Sequence, residues 1–240
     1  IIGCDCEVCL SKDKKDKRLR CAIMVTLSDG KNIVVDTGPD FRYQMLRENV
    51  QDVEAVLMTH EHTDHVVGLD DVRPINFKHE KDMPVYAVPR VIDNLKQRFS
   101  YIFESNPYPG IPRINLLPIH KSQPFEIAGQ PIIPIEVIHY KLPVLGFRFN
   151  DFTYLTDIKT ISDEELEKVK GTKILVLGAL QREQHISHLT IDEAIELSRK
   201  INPEITYFVH MSHRLGKHEE VIKTFPENIT LAYDGLQLEI

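Results

Sequence analysis

The chain of 240 residues is long enough for one large domain or two small ones, and its 42% of hydrophobic residues suffices for a sizeable core. No apolar run approaches the roughly 20 residues of a transmembrane helix, which argues against a membrane partner. A formal net charge of -7 argues against a nucleic-acid partner, which usually requires a basic face. A small phosphorylated ligand stays compatible, because bound divalent metals would make a site locally positive.

Apolar and β-branched segments between turn signals predict a strand-rich first half of the chain. The Asp29-Gly30 turn predicts a hairpin between the first two strands. In chain order we predict strands at 21–27 and 32–38, a short helix at 41–49, strands at 53–59 and 83–89, a helix at 90–103 and a Pro-rich loop at 106–114.

The second half repeats this alternation, so we predict one mixed α/β domain of two similar units over residues 1–240. The predicted elements are two strands about Gly129, a hairpin about Asn150-Asp151, a helix at 162–170, a strand at 173–179, a helix at 189–201, a strand at 205–210 and a closing hairpin about Asp234-Gly235. Ser162 with Glu165, and Thr190 with Glu193, predict capping boxes at the two helix starts.

The segment THEHTDHVVGLDD (59–71) contains four candidate metal ligands within six positions: His60, His62, Asp64 and His65. Two histidines at i and i+2 point the same way in extended chain, and the next two side chains project from the following turn. Two adjacent metals accommodate four such side chains more readily than one metal does.

Three further candidate ligands each end another apolar strand: His139, Asp157 and His210. Open α/β sites collect their side chains at one edge of a sheet in this way. Together with the histidine segment, this order resembles the metallo-β-lactamase superfamily over nearly the whole chain. The resemblance implies an α/β fold, the four-layer αββα sandwich, with a dinuclear metal site at one edge.

The resemblance also implies a role for each ligand. The implied ligands are His60, His62 and His139 for the first metal, Asp64, His65 and His210 for the second, and Asp157 as the bridge. The preceding VVDTGPDF (34–41) matches the family, with Asp36 as a carboxylate that orients the histidine segment. β-Lactamases proper have cysteine at the bridging position, so Asp157 indicates the phosphodiesterase and general hydrolase branches.

Cys4-x-Cys6-x-x-Cys9 has the tight spacing of a thiolate metal site, and tetrahedral zinc needs a fourth ligand. Cys21 and His213 are both candidates for it. The arrangement resembles the phosphoribosyl 1,2-cyclic phosphate phosphodiesterase branch of carbon–phosphorus lyase pathways. That resemblance implies a structural zinc on Cys4, Cys6, Cys9 and His213. Cys21 leads into a predicted strand, and we expect it to be a buried small hydrophobe.

Zinc-bound thiolates at residues 4–9 fit a reducing, cytoplasmic compartment. The chain opens with Ile1, whereas related chains begin with a strand and a Gly-rich loop. We therefore expect the protein to be truncated before residue 1.

His188 precedes a predicted helix N-cap and is a candidate proton donor to a leaving group, with His185 as the competing candidate. This position resembles a histidine of the ribonuclease Z and cyclic phosphodiesterase branches. Asp64 is the second catalytic candidate, because it can orient the nucleophile or accept its proton. The sequence does not rank three arginines that could bind phosphate, and we expect each to be a surface or structural residue rather than a substrate contact: Arg73, Arg148 and Arg182. Asp70 and Asp71 are predicted to be structural.

These features predict a metal-dependent phosphodiesterase that cleaves a small cyclic or diester phosphate by metal-activated hydroxide. Phosphoribosyl 1,2-cyclic phosphate is the leading substrate. The alternatives are a tRNA 3′-processing endonuclease like ribonuclease Z, a thioesterase or lactonase, and a metal-stabilised binding domain. The acidic charge opposes the endonuclease, and the complete ligand set opposes the binding domain.

The predicted cofactors are two divalent metals, manganese or zinc, in the active site and one structural zinc. The predicted partner is a small phosphorylated substrate. The sequence leaves the oligomeric state, including a homodimer, open.

Overall fold

The computed structural model describes residues 1–105 and 108–240. The chain divides into two compact units, a first unit of Arg20–Pro131 and a second unit of Ile1–Leu19 with Ile132–Ile240. Each unit contains a sheet and helices, which confirms the predicted α/β class. Among the described residues, no helix is both long and apolar enough to span a membrane.

The sheet of the first unit has the strand order β1-β2-β3-β4-β5. Its strands are β1 (Ile23–Thr26), β2 (Asn32–Val35), β3 (Ala55–Leu57), β4 (Met83–Ala87) and β5 (Ile114–Pro118). Strands β1 and β2 form the predicted antiparallel hairpin, with Gly30 at φ 84° in its turn, and β2 to β5 are parallel. The unit also contains α1 (Phe41–Arg47), α2 (Thr63–Val66), α3 (Arg73–His79), α4 (Pro89–Arg98) and the short strand β6 (Phe125–Ile127).

The core of the first unit lies between its parallel strands and its helices. Val34, Val56 and Val85 on β2, β3 and β4 are buried together with Leu95 of α4 and Leu69. Burial of whole Val or Leu side chains stabilises by roughly 1.5–3 kcal/mol each. This packing makes a rigid base for the segments that follow β2 and β3.

The sheet of the second unit follows the order β10-β7-β8-β9-β11-β12-β13. Its strands are β7 (Gln130–His139), β8 (Leu142–Phe149), β9 (Phe152–Leu155), β10 (Thr160–Ile161), β11 (Ile174–Gly178), β12 (Ile205–Val209) and β13 (Ile229–Leu231). Its helices are α5 (Asp163–Val169), α6 (Ile191–Ile201) and α7 (His218–Val221).

Strand directions decide which residues share an edge of this second sheet. Strand β8 is antiparallel to both β7 and β9, so β7 and β9 run the same way. Strands β9, β11 and β12 are parallel to one another. The carboxyl ends of β7, β9, β11 and β12 therefore lie at one edge, as the sequence predicted for the strands that end near His139, Asp157 and His210.

Most predicted strands and helices are present, but the closing hairpin is wrong. Only β13 forms, and no strand occupies residues 232–240. Instead, the Asp234 carboxylate accepts a hydrogen bond from the Leu19 N–H at 2.9 Å, and the Leu236 N–H donates to the Tyr233 carbonyl at 3.0 Å. The predicted turn residue Asp234 is thus bonded to a residue far away in the sequence, in place of a hairpin partner.

The capping box predicted at Ser162 is only half formed. The Ser162 hydroxyl accepts the Glu165 N–H at 3.2 Å, but the Glu165 carboxylate accepts the Glu136 N–H at 2.8 Å and pairs with Lys168. The Glu165 carboxylate therefore binds the backbone N–H of Glu136 on β7 and not the N–H of Ser162, the partner that a capping box would require. The short helices α2 and α3 were not predicted. Residues 106 and 107 of the predicted Pro-rich loop lie outside the described residues.

The capping box predicted at Thr190 is complete, with both reciprocal bonds at 3.2 and 2.8 Å. We predict that Thr190→Ala lowers the free energy of unfolding by about 1 kcal/mol, because the Glu193 N–H loses its partner. Urea unfolding measures the difference. Thr190→Ser keeps the hydroxyl and should lose less; equal losses in both variants would contradict a capping role.

Candidate metal centre

Asp36 is the buried carboxylate around which the histidine segment is organised. It directly follows β2 and adopts φ 67°, a conformation that few residues other than glycine occupy. Its Oδ1 accepts the Thr59 N–H at 2.9 Å, and its Oδ2 accepts the Thr59 hydroxyl at 2.8 Å and His65 Nδ1 at 2.7 Å. These bonds offset the cost of burying a charge at 0% exposure.

The same bonds select the tautomers of two histidines. His65 donates its Nδ1 proton to Asp36, so the lone pair of the neutral ring lies on Nε2. The Thr59 hydroxyl donates to Asp36 and therefore accepts at its oxygen from His60 Nδ1, 2.9 Å away. Both rings thus have an unprotonated Nε2, the state a metal ligand needs.

The ligand-type atoms of this segment lie close together. His60 Nε2 is 2.9 Å from His62 Nδ1, and the ring centroids of His60 and His65 are 4.3 Å apart. Asp64 and His65 each offer a ligand atom within 4.8 Å of the other. Nitrogen lone pairs so close require a shared proton or a cation, so the donor set fits divalent metal.

Two glycines allow the backbone after β2 to lie against the histidine segment. The Thr37 N–H donates to the His65 carbonyl at 2.7 Å. A Cβ on Gly38 would lie 2.3 Å from the Asp64 carbonyl oxygen, and one on Gly68 would lie 2.2 Å from that of Gly38. Only glycine fits at these two positions.

In the second unit, Asp157 is at the centre of a histidine cluster at the carboxyl edge of the sheet. Its Oδ1 is 3.9 Å from His139 Nε2 and 3.8 Å from His188 Nδ1, and its Oδ2 is 3.4 Å from His210 Nε2. Asp157 and His210 have φ values of 46° and 60°. Left-handed non-glycine residues at strand ends are typical of functional sites.

The ring of His139 is oriented from the loop that follows β11. Its Nδ1 donates to the Ser187 carbonyl at 2.8 Å, which leaves Nε2 unprotonated on the side of Asp157. The sequence analysis did not identify Ser187 or Thr59. Thr59 could have been found, because its hydroxyl comes directly before His60, the first candidate ligand. Both residues act through ligands that the sequence did identify.

His188 lies against His139 and His210, with ring centroids 4.5 and 4.8 Å away, whereas His185 is 5.1 Å from His188. Burial, followed by the nearby His210, lowers the pKa of His188 to about 3. This environment favours the neutral imidazole of His188. His188 Nδ1 is 3.8 Å from Asp157 Oδ1, whereas His185 Nδ1 contacts the Ser187 N–H and hydroxyl at 3.4 and 3.3 Å.

The third group consists of Cys4, Cys6, Cys9 and His213. The three sulfurs lie 3.3, 3.5 and 3.6 Å from His213 Nδ1. Zinc bonds of about 2.3 Å to sulfur and about 2.0 Å to nitrogen, at tetrahedral angles, separate the two atoms by about 3.5 Å. The backbone N–H of Cys9, followed by His213, lowers the pKa of Cys6 to about 6, which favours the thiolate.

The three arginines proposed from sequence have structural partners. Arg148 donates to the Lys168 and Asn150 carbonyls, Arg182 to the Thr224 hydroxyl and Arg73 to the Gly110 carbonyl. The predicted structural role of Asp70 agrees with its hydrogen bond from the Tyr101 hydroxyl. The sequence did not single out Arg20, whose Nη1 lies 3.5 Å from Asp64 Oδ2.

Residues 31–211 match the Beta-lactamase superfamily domain. The chain is 40% identical over 238 residues to the protein named octanoyltransferase of Porphyromonas gingivalis (strain ATCC BAA-308 / W83). That match covers 98% of this chain and 48% of the relative, so the chain spans about half the relative's length.

Among solved structures, the chain is similar to one described as a new diphosphatase from the PhnP family. The identity is 40%, the TM-score is 0.92, and 100% of this chain and 91% of that chain are covered. Zinc-bound PqqB from Methylobacterium extorquens has a TM-score of 0.77 at 16% identity, over 100% of this chain and 95% of that one. The second likeness shows the fold alone.

We predict that Asp36→Asn weakens binding of the active-site metals about 10- to 100-fold without unfolding the protein, because the amide cannot replace the carboxylate bonds to both His65 and Thr59. Chelator competition with metal analysis measures the affinity. Asp29→Asn, in the exposed β1–β2 turn, is the matched control. Equal metal affinity in Asp36→Asn and the control would show that Asp36 does not orient the ligands.

We predict that Cys6→Ser and His213→Ala each remove one zinc ion per chain and lower the melting temperature, because a tetrahedral site loses a ligand. Native mass spectrometry counts the ions. Cys21→Ser is the control and should keep its zinc. Loss of zinc from Cys21→Ser, with retention in His213→Ala, would make Cys21 the fourth ligand.

Proposed function

The chain belongs to the metallo-β-lactamase superfamily, within its PhnP family, and is a metal-dependent hydrolase; we propose that it hydrolyses a small cyclic or diester phosphate. The observation that carries this proposal is the pair of preset histidine–carboxylate groups, one around Asp36 and one around Asp157. The aspartate at position 157, where β-lactamases proper have cysteine, supports a phosphodiesterase. Phosphoribosyl 1,2-cyclic phosphate is the leading substrate.

We propose that the seven residues predicted from the sequence are the ligands of two catalytic divalent metals, manganese or zinc. They are His60, His62, Asp64, His65, His139, Asp157 and His210. When bound, such ions make water nucleophilic at neutral pH and offset charge on phosphate oxygens. The histidines contribute by presenting unprotonated nitrogens, as the bonds to Asp36, Thr59 and Ser187 support. We assign a structural zinc to Cys4, Cys6, Cys9 and His213.

His188 is the proposed proton donor to the leaving oxygen. Burial lowers the pKa of His188 and so opposes an imidazolium, whereas a bound phosphate anion would raise that pKa again. Its close approach to Asp157 supports a position beside the reacting phosphate. Asp64 is the proposed group that orients the nucleophile.

A second candidate is hydrolysis of a diphosphate, which the relative described as a diphosphatase favours. Water attacks phosphorus in both reactions, but a phosphate leaving group needs a proton less than an alkoxide does. Loss of His188 should therefore slow cleavage of an alkyl diester more than cleavage of a diphosphate.

Two further alternatives are kept as arms of the test. The net charge of -7 opposes a tRNA endonuclease. The octanoyltransferase relative is the reason to include an octanoyl thioester, although this chain spans only about half of that protein. His188 resembles a residue of both the ribonuclease Z and the cyclic phosphodiesterase branches, so it does not favour the endonuclease over the proposed function.

The test is a substrate panel on the manganese- or zinc-loaded protein, with His60→Ala as the inactive control. The panel contains bis(p-nitrophenyl) phosphate, phosphoribosyl 1,2-cyclic phosphate, a diphosphate diester, an octanoyl thioester and precursor tRNA. We expect kcat/KM on the cyclic or diester phosphates at least about 100-fold above the control, because metal activation supplies the nucleophile. Turnover of the thioester or tRNA alone would contradict the proposal.

A further inference from the structure

The backbone of Arg20 is fixed against the loop that follows β2. Its N–H donates to Asp40 Oδ2 at 2.8 Å, and its carbonyl accepts from Gln44 Nε2 at 3.0 Å. Its Cβ would lie 3.2 Å from a Cβ on Gly38, so the side chain starts next to that glycine. The position of the side chain is therefore set by the same loop that contains Asp36.

The guanidinium extends from this anchor to the histidine segment. Its Nη1 lies 3.5 Å from Oδ2 of Asp64, while the Arg20 side chain stays 60% exposed and that of Asp64 32% exposed. The donors of Arg20 thus reach solvent directly beside a proposed metal ligand.

Other arginines near the ends of the strands have their donors in structural bonds. Arg18 donates to the Ser212 and Gly216 carbonyls at 2.6 and 2.7 Å, and Arg148 donates to backbone carbonyls. Arg98 donates to the Thr63 hydroxyl at 3.1 Å. Arg20 differs from them because its partner is a partly exposed carboxylate, that of Asp64.

A structural role explains the Arg20 side chain poorly. An ion pair this exposed contributes little to stability, since solvent screens it. Once Asp64 shares its charge with a divalent cation, its attraction for Arg20 falls further. The forked, permanently charged guanidinium then matches the oxygens of a phosphate group.

We propose that Arg20 binds a non-bridging oxygen of the substrate phosphate beside Asp64. This inference rests on the proposed phosphodiester or diphosphate hydrolysis and names the residue that holds the substrate anion. Arg20 is then a substrate-binding residue, with inorganic phosphate as its simplest ligand.

The test compares Arg20→Ala and Arg20→Lys with Arg42→Ala, which removes the same charge from an exposed position on α1. Arg20→Ala should raise KM for bis(p-nitrophenyl) phosphate about tenfold or more, with a smaller change in kcat, because a charge-assisted hydrogen bond is lost. Arg20→Lys should recover part of the loss, and Arg42→Ala should match wild type.

Calorimetric titration of the metal-loaded proteins with inorganic phosphate gives a readout independent of turnover. Arg20→Ala should bind phosphate about tenfold more weakly while it keeps its metal content and melting temperature. Unchanged KM and phosphate affinity would overturn the inference. So would a fall in metal affinity without a fall in phosphate affinity, since Arg20 would then position Asp64.

The two proposals fail in distinguishable ways. If the wild-type protein turns over no phosphate substrate, the proposed function fails, whereas phosphate titration still tests Arg20. If the wild-type protein is active and Arg20→Ala keeps its KM and its phosphate affinity, only the inference about Arg20 fails.

Discussion

The buried carboxylate of Asp36 is the interaction on which the histidine segment depends. A charge at 0% exposure is costly to desolvate, and here it is offset by bonds from Thr59 and His65. Because those donors have only one satisfactory arrangement, Asp36 also decides which nitrogen of His60 and His65 is protonated. Folding of the first unit therefore prepares imidazoles in the ligand state before any metal binds.

Backbone strain recurs at the same functional positions. Asp36, Asp157 and His210 all have positive φ, a conformation that costs non-glycine residues of order 1 kcal/mol or more. The parallel strands packed behind these residues make the conformation tolerable. Gly38 and Gly68 contribute in another way, because the lack of a side chain lets the backbone after β2 lie against the histidine segment. The protein thus tolerates local strain where it must aim a side chain beyond the end of a strand.

Sequence patterns predicted most of the strands and the candidate ligands at their ends, because strand periodicity and turn residues are local. They failed where a long-range bond displaced a local one. A closing hairpin was expected at Asp234, but its carboxylate accepts a hydrogen bond from the Leu19 N–H. A capping box was expected at Glu165, but its carboxylate accepts a hydrogen bond from the Glu136 N–H. The sequence could not rank Arg73, Arg148 and Arg182, because their hydrogen-bond partners, such as the Lys168 carbonyl for Arg148, are set by the fold.

The sequence by itself determined the candidate ligand types and their order at strand ends, because His60, His62, Asp64 and His65 are neighbours in the chain. Only the tertiary structure decided their protonation, because Asp36 and His65 are 29 residues apart. It also showed that Ser187 orients His139 across 48 residues and that burial among histidines lowers the pKa of His188. Histidine tautomers, burial and the position of an arginine side chain depend on contacts between residues that are far apart in the sequence. Local sequence patterns do not predict such contacts.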